Sequence, residues 1–237
     1  MTRRLRVKSH HMNNLALFDL DHTLLPTDSD KEWGRFLVRI GAVDKIAYAQ
    51  ANEAFYADYR AGTLDMPAFL RFALAPLSQY SRAQLDAWHD QFMQEVILPA
   101  ILPSALALLD KHRSAGDLCA IVTATNSFVT RPIARQLGVE HLIATEPATV
   151  DGTPDARFSG DYLGTPSFRE GKIVRTEQWL CQLGKRWSDF GRSYFYSDSA
   201  NDIPLMEKVT DPIATNPDET LRTAAQQRGW PIIELFQ

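Results

Sequence analysis

The chain has 237 residues and a mass of 26.7 kDa, enough for one large domain or two smaller ones. Apolar residues make up 45% and charged residues 23% of the sequence, as is usual for a soluble globular protein. A net charge of −4 argues against a nucleic-acid partner, and two cysteines are too few for a disulfide framework. Because no apolar stretch approaches the roughly 20 residues of a membrane span, we expect no membrane contact and a cytoplasmic location.

The chain begins with a basic segment, residues 1–12, which lacks the apolar stretch of a secretory signal. It is either a flexible arm or a stretch upstream of a natural start at Met12, and we exclude it from the predicted fold. Short apolar runs that resemble buried parallel strands follow at Leu15–Leu20, Leu118–Val122, His141–Ala144, Ser193–Tyr196, Pro212–Ala214 and Pro231–Leu235. Helical patterns lie between them at Pro132–Leu137, Lys172–Leu183 and Asp218–Arg228. This alternation predicts an α/β fold with a doubly wound parallel sheet.

The stretch 26–99 breaks the alternation, because it contains helical patterns and no convincing strand. Its predicted helices are one capped by Ser29 or Asp30 and running to Arg39, one over Val43–Arg60, one after Asp65, and one from Ser81 to about Val96. An insertion of about 75 residues is too long for a loop. We therefore predict a small helical cap domain, 26–99, on a core formed by 1–25 and 100–237. It should lie over the carboxyl edge of the sheet, where α/β folds bind ligands. Farther along, Asp151-Gly152 predicts a β-hairpin turn.

Two acidic motifs follow predicted strands. Asp19 and Asp21 come directly after the first strand, and Asp198 and Asp202 follow Ser193–Tyr196. If these strands are neighbours, Asp198 lies beside Asp19. Carboxylates so close together repel each other unless a cation lies between them, and oxygen ligands at this density suit Mg²⁺. Taken alone, either motif could also be an acidic turn or a helix cap.

Two further sites lie between the acidic motifs. Thr123 ends the second strand at a helix start, where free N–H groups can bind an anion. Lys172 follows Gly171 at another helix start, where the helix dipole disfavours a cation. A lysine at that position is better explained if it faces a phosphate or the carboxylate of Asp19. By themselves, the threonine could be a cap and the lysine a solvated surface residue.

The order of these four elements, Asp-x-Asp-x-Thr, Thr, Lys and the Asp pair, resembles the haloacid dehalogenase superfamily. The resemblance covers essentially all residues from Leu15 onward, with a Rossmann-like core. The helices inserted after the first motif resemble the class-I cap branch, which is typified by phosphoserine phosphatase. The resemblance implies a magnesium-dependent phosphomonoester hydrolase that works through an aspartyl-phosphate intermediate.

The resemblance also implies a role for each motif residue. Asp19 would be the nucleophile and a Mg²⁺ ligand. Asp21 would protonate the leaving alcohol and then activate water, while its backbone carbonyl binds the metal. Thr123 and Lys172 would hold the phosphoryl oxygens. An attacking carboxylate and a phosphate repel each other, so the metal and the lysine would neutralise that charge.

The remaining motif residues would support the metal. The resemblance implies that Asp198 is a direct ligand and that Asp202 holds the metal's waters and orients Lys172. Thr23 is expected to steady the turn. His22 lies between the two aspartates, where the family pattern varies, so we expect it to be non-catalytic.

The substrate should be selected by the cap, and here the chain departs from phosphoserine phosphatase. That enzyme has Ser-Gly-Gly after its second strand, whereas this chain has Thr123-Ala124-Thr125-Asn126. Asp28 lies where the phosphoserine enzyme uses a glutamate to meet the substrate's ammonium group. We predict substrate contacts for Asp28, Ala124 and Asn201. The nearby Asp30 and Glu32 could be substrate contacts or a solvated helix start.

Phrases around these motifs resemble a proteobacterial subgroup that includes histidinol-phosphate phosphatases. An amino-alcohol phosphate with an imidazole ring would suit the acidic entrance, so histidinol phosphate is the leading substrate. Phosphoserine or another small metabolite phosphate stays open, as does a phosphotransferase that uses the same phosphoenzyme. An inactive binding or regulatory protein is a remote alternative, because such a descendant would be expected to lose Asp19, Asp21 or Lys172. The oligomeric state is not predicted.

Overall fold

The computed structural model describes residues 13–236, so the basic segment at 1–12 lies outside the described residues. Seven strands form one sheet in the order β4-β3-β2-β1-β5-β6-β7. They are β1 (Leu15–Phe18), β2 (Leu118–Asn126), β3 (His141–Thr149), β4 (Phe158–Leu163), β5 (Ser193–Ser197), β6 (Asp211–Thr215) and β7 (Ile232–Ile233). All neighbouring strands are parallel except β3 and β4, which form the hairpin predicted at Asp151-Gly152. The predicted α/β fold is confirmed.

The centre of this sheet positions the acidic motifs. Strand β1 is buried along its whole length, as its unbroken apolar run predicts. Its last residue, Phe18, pairs in register with Ile121 of β2 and Tyr196 of β5. The chain moves outward from β1 to β4 on one side and then continues through β5 to β7 on the other. Asp19 and Asp198 therefore leave the sheet together at its topological switch point, where α/β folds bind ligands.

Helices cover the sheet and form the insertion after β1. They are α1 (Ser29–Arg39), α2 (Lys45–Ala61), α3 (Met66–Gln79), α4 (Arg82–Phe92), α5 (Leu98–Ala100), α6 (Pro103–Ala115), α7 (Ser127–Gln136), α8 (Glu170–Gln182), α9 (Ile203–Lys208) and α10 (Glu219–Arg228). A π-helical turn (Met93–Ile97) joins α4 to α5, and 3₁₀ turns lie at Trp187–Asp189 and Ala200–Asp202. Between residues 13 and 236 no single helix is long and apolar enough to cross a membrane; one pair, Arg82–Ala100 with Pro103–Ala115, passes on length and composition but is bent by 88°.

Two predicted helix starts were wrong. Helix α1 is capped by Asp28, whose carboxylate accepts the N–H of Lys31 at 2.9 Å, and not by Ser29 or Asp30. Helix α7 begins at Ser127, capped by Asn126, so Pro132 lies inside it and does not start it. The proline costs this helix one internal hydrogen bond. The correct start was hidden because β2 runs four residues beyond Val122, directly into the helix.

Apolar clusters join the insertion to the sheet. Trp33 and Phe36 of α1 pack in the same buried cluster as Phe18 of β1. Leu74 of α3 shares another cluster with Phe158 of β4. In contrast, helix α2 has a single buried residue, the polar Asn52. The division into a 26–99 cap and a separate core stays a prediction, but α1 and α3 are clearly anchored more firmly than α2.

Candidate active site

A buried lysine joins two of the predicted aspartates. Lys172 Nζ donates to Asp19 Oδ1 at 3.0 Å and to Asp202 Oδ2 at 2.6 Å, and all three side chains are at most 7% exposed. Burial raises the pKa of Asp19 to about 7, although Lys172 acts to lower it. The negative charges of Asp202 and Asp21 also act to raise this pKa. Burial alone would lower the pKa of Lys172, but the two carboxylates raise it above its ordinary value. The lysine is therefore a fixed cation beside Asp19.

The start of helix α8 places this lysine by a close backbone approach. A Cβ atom on Gly171 would lie 2.1 Å from the carbonyl oxygen of Pro166, so only glycine fits there. Just before it, Arg169 has a φ of 49°, in the region that favours glycine. Thr176 Oγ1 donates to the Lys172 carbonyl at 2.7 Å, one turn farther along. The tight turn thus directs Lys172 into the sheet edge and away from solvent.

Asp198 is the second carboxylate beside Asp19. Asp19 and Asp198 line one cavity at the sheet edge. Thr23 Oγ1 donates to Asp198 Oδ1 at 3.2 Å. Burial and the charges of Asp19 and Asp202 hold the pKa of Asp198 well above its usual range. A carboxylate in this position calls for a cation. The expected role of Thr23 in the turn thus extends to positioning Asp198.

The donor set fits Mg²⁺. Within residues 13–236 no three His, Cys, Asp or Glu side chains group as a metal site. The predicted set does not require three, since it takes side-chain oxygens from Asp19 and Asp198 and the main-chain oxygen of Asp21. Two carboxylates and a carbonyl, with the remaining positions filled by water and phosphate, form the oxygen environment that Mg²⁺ prefers.

Asp21 is held by two donors that leave it beside the cavity. Thr125 Oγ1 donates to its Oδ2 at 2.8 Å, and the main-chain N–H of Ser29 donates to its Oδ1 at 2.7 Å. Burial, followed by the charge of Asp28, raises the pKa of Asp21 to about 6. A carboxyl group with this pKa can both release and accept a proton near neutral pH.

The loop after β2 forms another wall of the site. Thr123 and Ala124 both line the cavity. The Oγ1 atom of Thr123 accepts the N–H of Thr125 at 3.2 Å, which leaves its own hydroxyl hydrogen available to a ligand. Thr123 is only 1% exposed, so its orientation is fixed by packing.

These residues surround one cavity of about 660 Å³, measured with its opening to solvent. The sheet edge forms its floor, and helices α1 to α3 form its roof. The roof contributes the carboxylates of Asp28 and Asp30 and the amide of Asn52. It also contributes an apolar wall made of Phe55, Tyr56, Leu64, Met66 and Phe69. Glu32 lies outside this lining and pairs with Arg35.

Asn201 has a different environment from the one predicted. It does not line this cavity, and its side chain links the core to the insertion. Arg169 Nε donates to Asn201 Oδ1 at 3.0 Å, and Asn201 Nδ2 donates to the Tyr59 carbonyl at 3.3 Å. Arg169 also donates to the carbonyl of Gly62, and Tyr59 Oη donates to Ser199 Oγ at 3.3 Å. This arrangement gives the predicted substrate contact of Asn201 no support.

Sequence reasoning missed three contributors to the site. Thr125 holds Asp21, although the two-residue period of a strand could have placed it on the same side as Thr123. Arg169 joins the core to the insertion, and no local pattern marks it. Asn52 was not singled out, since a lone asparagine in a helix carries no pattern of its own, yet it is 9% exposed and lines the cavity.

The sheet topology and the acid-lined cavity at its switch point define an α/β enzyme. The pattern of the haloacid dehalogenase-like hydrolases matches residues 16–207. The chain belongs to this family, which confirms the resemblance of its motifs.

Similar proteins cover nearly the whole chain. A histidinol-phosphatase of Neisseria meningitidis serogroup C (strain 8013) is 45% identical over 222 residues, which are 94% of this chain and 99% of that protein. The phosphoserine phosphatase SerB1 of Mycobacterium tuberculosis (strain ATCC 25618 / H37Rv) is 31% identical over 221 residues, 92% of this chain and 69% of that protein. The crystal structure of a protein of unknown function from Bordetella pertussis Tohama I has 52% identity and a TM-score of 0.88, and covers 94% and 99% of the two chains.

Proposed function

We propose that this protein is a magnesium-dependent phosphatase that forms a covalent phosphoryl intermediate on Asp19. The observation that carries the proposal is the buried pairing of Lys172 with Asp19 and Asp202 at the switch point of the sheet. Lys172 holds Asp19 Oδ1, whereas Asp19 Oδ2 accepts no hydrogen bond from residues 13–236. We assign Asp19 Oδ2 as the atom that attacks phosphorus.

Proton transfer is assigned to Asp21. When the phosphate–oxygen bond breaks, its protonated carboxyl gives the proton to the leaving alcohol. It then takes a proton from the water that hydrolyses the aspartyl-phosphate, which restores Asp19. The hydrogen bonds from Thr125 and Ser29 keep the carboxyl in place through both steps.

Charge stabilisation comes from fixed groups. Lys172 and the hydroxyl of Thr123 are positioned to meet phosphoryl oxygens as negative charge is redistributed. Mg²⁺, held by Asp19, Asp198 and the Asp21 carbonyl, would supply the positive charge that offsets repulsion between a phosphate and the attacking carboxylate.

The cavity charge supports a basic substrate, and we propose histidinol phosphate. Asp28 and Asp30 line the roof in addition to the reaction-centre acids. The lining contains two cations, and both are engaged: Lys172 by its carboxylates, and Lys31 by Glu53 at 3.3 Å and by the ring of Tyr56. A substrate ammonium group would meet Asp28, whereas the α-carboxylate of phosphoserine would face like charges. The 45% identity to the Neisseria histidinol-phosphatase supports the same substrate.

The test is phosphate release from histidinol phosphate, phosphoserine and sugar phosphates, with Mg²⁺ and then with EDTA. We expect metal-dependent release and the highest kcat/KM for histidinol phosphate. Equal, weak release across the panel would reject the substrate but keep the phosphatase. Phosphate transferred to an added alcohol in place of water would identify a phosphotransferase. No metal-dependent release or transfer would overturn the mechanism. The cytoplasmic location stays a prediction.

A further inference from the structure

The roof of the cavity contains an asparagine whose side-chain amide has no hydrogen-bond partner among residues 13–236. Asn52 of α2 is 9% exposed and lines the cavity, and its side chain makes no hydrogen bond with any residue from 13 to 236. The Asn52 amide is not among the fully enclosed side-chain atoms that lack a partner between residues 13 and 236, so it is open to the cavity, where water or a ligand can hydrogen-bond to it. Its position in the cavity lining leaves the amide free to bind a molecule there.

A carboxylate lies on the facing helix. Asp30 of α1 receives one long hydrogen bond, 3.4 Å from Asn126 Nδ2 to its Oδ1. The amide of Asn126 is itself fixed, because its oxygen caps α7 by accepting the N–H of Val129. Asp30 Oδ2 accepts no hydrogen bond, and no cation lies within ion-pair distance of Asp30, among residues 13–236. Asp30 thus has an unpaired carboxyl oxygen in the same roof. Burial and the charges of Asp28 and Asp21 raise its pKa to about 8, so an approaching substrate cation would favour its ionised form.

The packing of α1 on α2 brings these two groups to one place. A Cβ atom on Gly34 of α1 would lie 2.9 Å from the ring of Tyr48 and 3.0 Å from Asn52 Nδ2. The absence of that Cβ lets α2 approach closely. Gly34 follows Asp30 by four residues, so both lie on the same face of α1, one turn of about 5.4 Å apart. The Asn52 amide therefore lies on the face of α1 that presents Asp30.

The walls around this pair suit a flat ring. Phe55 and Tyr56 follow Asn52 by three and four residues, on the same side of α2. Phe69 of α3 packs edge-on against Phe55, with 5.6 Å between ring centroids. All three aromatic side chains line the cavity. A cavity lined by aromatic rings together with a carboxyl group and an amide suits an aromatic ring that carries nitrogen atoms.

We infer that Asp30 and Asn52 form a two-point contact for the imidazole ring of the substrate, and this inference rests on the proposed function. Asp30 accepts the N–H of one ring nitrogen. Asn52 pairs with the other nitrogen, since an amide can present either its N–H or its oxygen and so match a neutral or a protonated ring. With Asp28 assigned to the ammonium group, each basic group of histidinol phosphate has its own partner in the roof.

The experiment compares two substrates that differ by the ring. Histidinol phosphate carries an ammonium group and an imidazole, whereas O-phosphoethanolamine carries the ammonium group alone. The variants are Asp30→Asn and Asn52→Leu, with Glu32→Gln as a matched control on the same helix but outside the cavity. We expect each of the two variants to lower the ratio of kcat/KM for histidinol phosphate to that for O-phosphoethanolamine by about 10- to 100-fold. Glu32→Gln should leave the ratio unchanged.

Thermal denaturation without substrate separates recognition from folding. Because Asn52→Leu replaces an amide that has no protein partner with an apolar side chain of similar size, its Tm should be close to that of the wild type. A lower Tm together with an unchanged substrate ratio would give Asn52 a structural role and overturn the inference. If the wild type prefers histidinol phosphate and both variants have the same kcat/KM ratio as the wild type, the ring contact is overturned but the proposed substrate stands. A wild type without that preference would reject the proposed substrate and the ring contact together.

Discussion

The replacement Asp19→Asn should abolish turnover and at the same time stabilise the metal-free fold. Asp19 lies within a group of carboxylates that burial and mutual repulsion keep from ionising freely. Asparagine has nearly the same shape and no charge, so it keeps the packing and removes one source of repulsion. The proposed nucleophile is thus expected to be unfavourable for stability.

The size of this effect follows from the pKa of Asp19, which burial raises from 3.8 to about 7. The difference, 7 minus 3.8 or about 3, corresponds to about 4 kcal/mol at about 1.4 kcal/mol for each unit of pKa. The folded state binds the Asp19 proton more tightly than the unfolded chain does. Ionisation of Asp19 therefore does not destabilise the fold below the unfolded pKa. The loss of stability grows as the pH rises and reaches its full size above about pH 7.

The assay is urea denaturation of both proteins in EDTA, with linear extrapolation to water. At about pH 8 we expect the variant to exceed the wild type in free energy of unfolding by up to about 4 kcal/mol, falling to about 2 kcal/mol at about pH 5. Asp155→Asn, the same change at an exposed position, should alter stability by less than about 0.5 kcal/mol. Added Mg²⁺ should stabilise the wild type more than the variant.

One result would refute this reasoning. If Asp19→Asn is less stable than the wild type in EDTA at the higher pH, the attraction between Asp19 and Lys172 outweighs burial and repulsion. The pKa of Asp19 would then lie below its ordinary value, and the carboxylates would need no metal ion to balance them. Residual magnesium-dependent turnover in a variant free of deamidation would separately reject Asp19 as the nucleophile.

Two further variants test other parts of the site. Lys172→Met should be inactive and less stable than the wild type by about 3–5 kcal/mol in urea at neutral pH, because two buried carboxylates lose their shared cation; a fully stable variant would contradict that pairing. Arg169→Ala removes the link between Asn201 and the Gly62 carbonyl, so KM should rise several-fold with a smaller change in kcat in steady-state kinetics. Equal KM values for this variant and the wild type would show that the link does not hold the insertion over the substrate.

The sequence predicted which acidic residues meet at the sheet edge because strand ends are local features and parallel strands end at one edge. Placing Asp198 beside Asp19 required only that β1 and β5 be neighbours, and they are. The role of Thr125 was missed because β2 continues past Val122, where polar residues suggested that the strand had ended. Arg169 could not be predicted, because its partners lie 32 and 107 residues away in the chain and meet only after the insertion folds over the core.

Helix α2 shows most clearly why the proposed substrate site escaped sequence analysis. Its Ala, Tyr and Phe spacing predicts a buried apolar stripe, yet Phe55 and Tyr56 face the cavity and stay partly exposed. An apolar stripe looks the same in sequence whether a neighbouring helix or a ligand covers it. If a substrate ring covers this one, binding completes the packing of the insertion. Substitutions in α2 would then change which molecule is accepted while the sheet and its aspartates stay as they are.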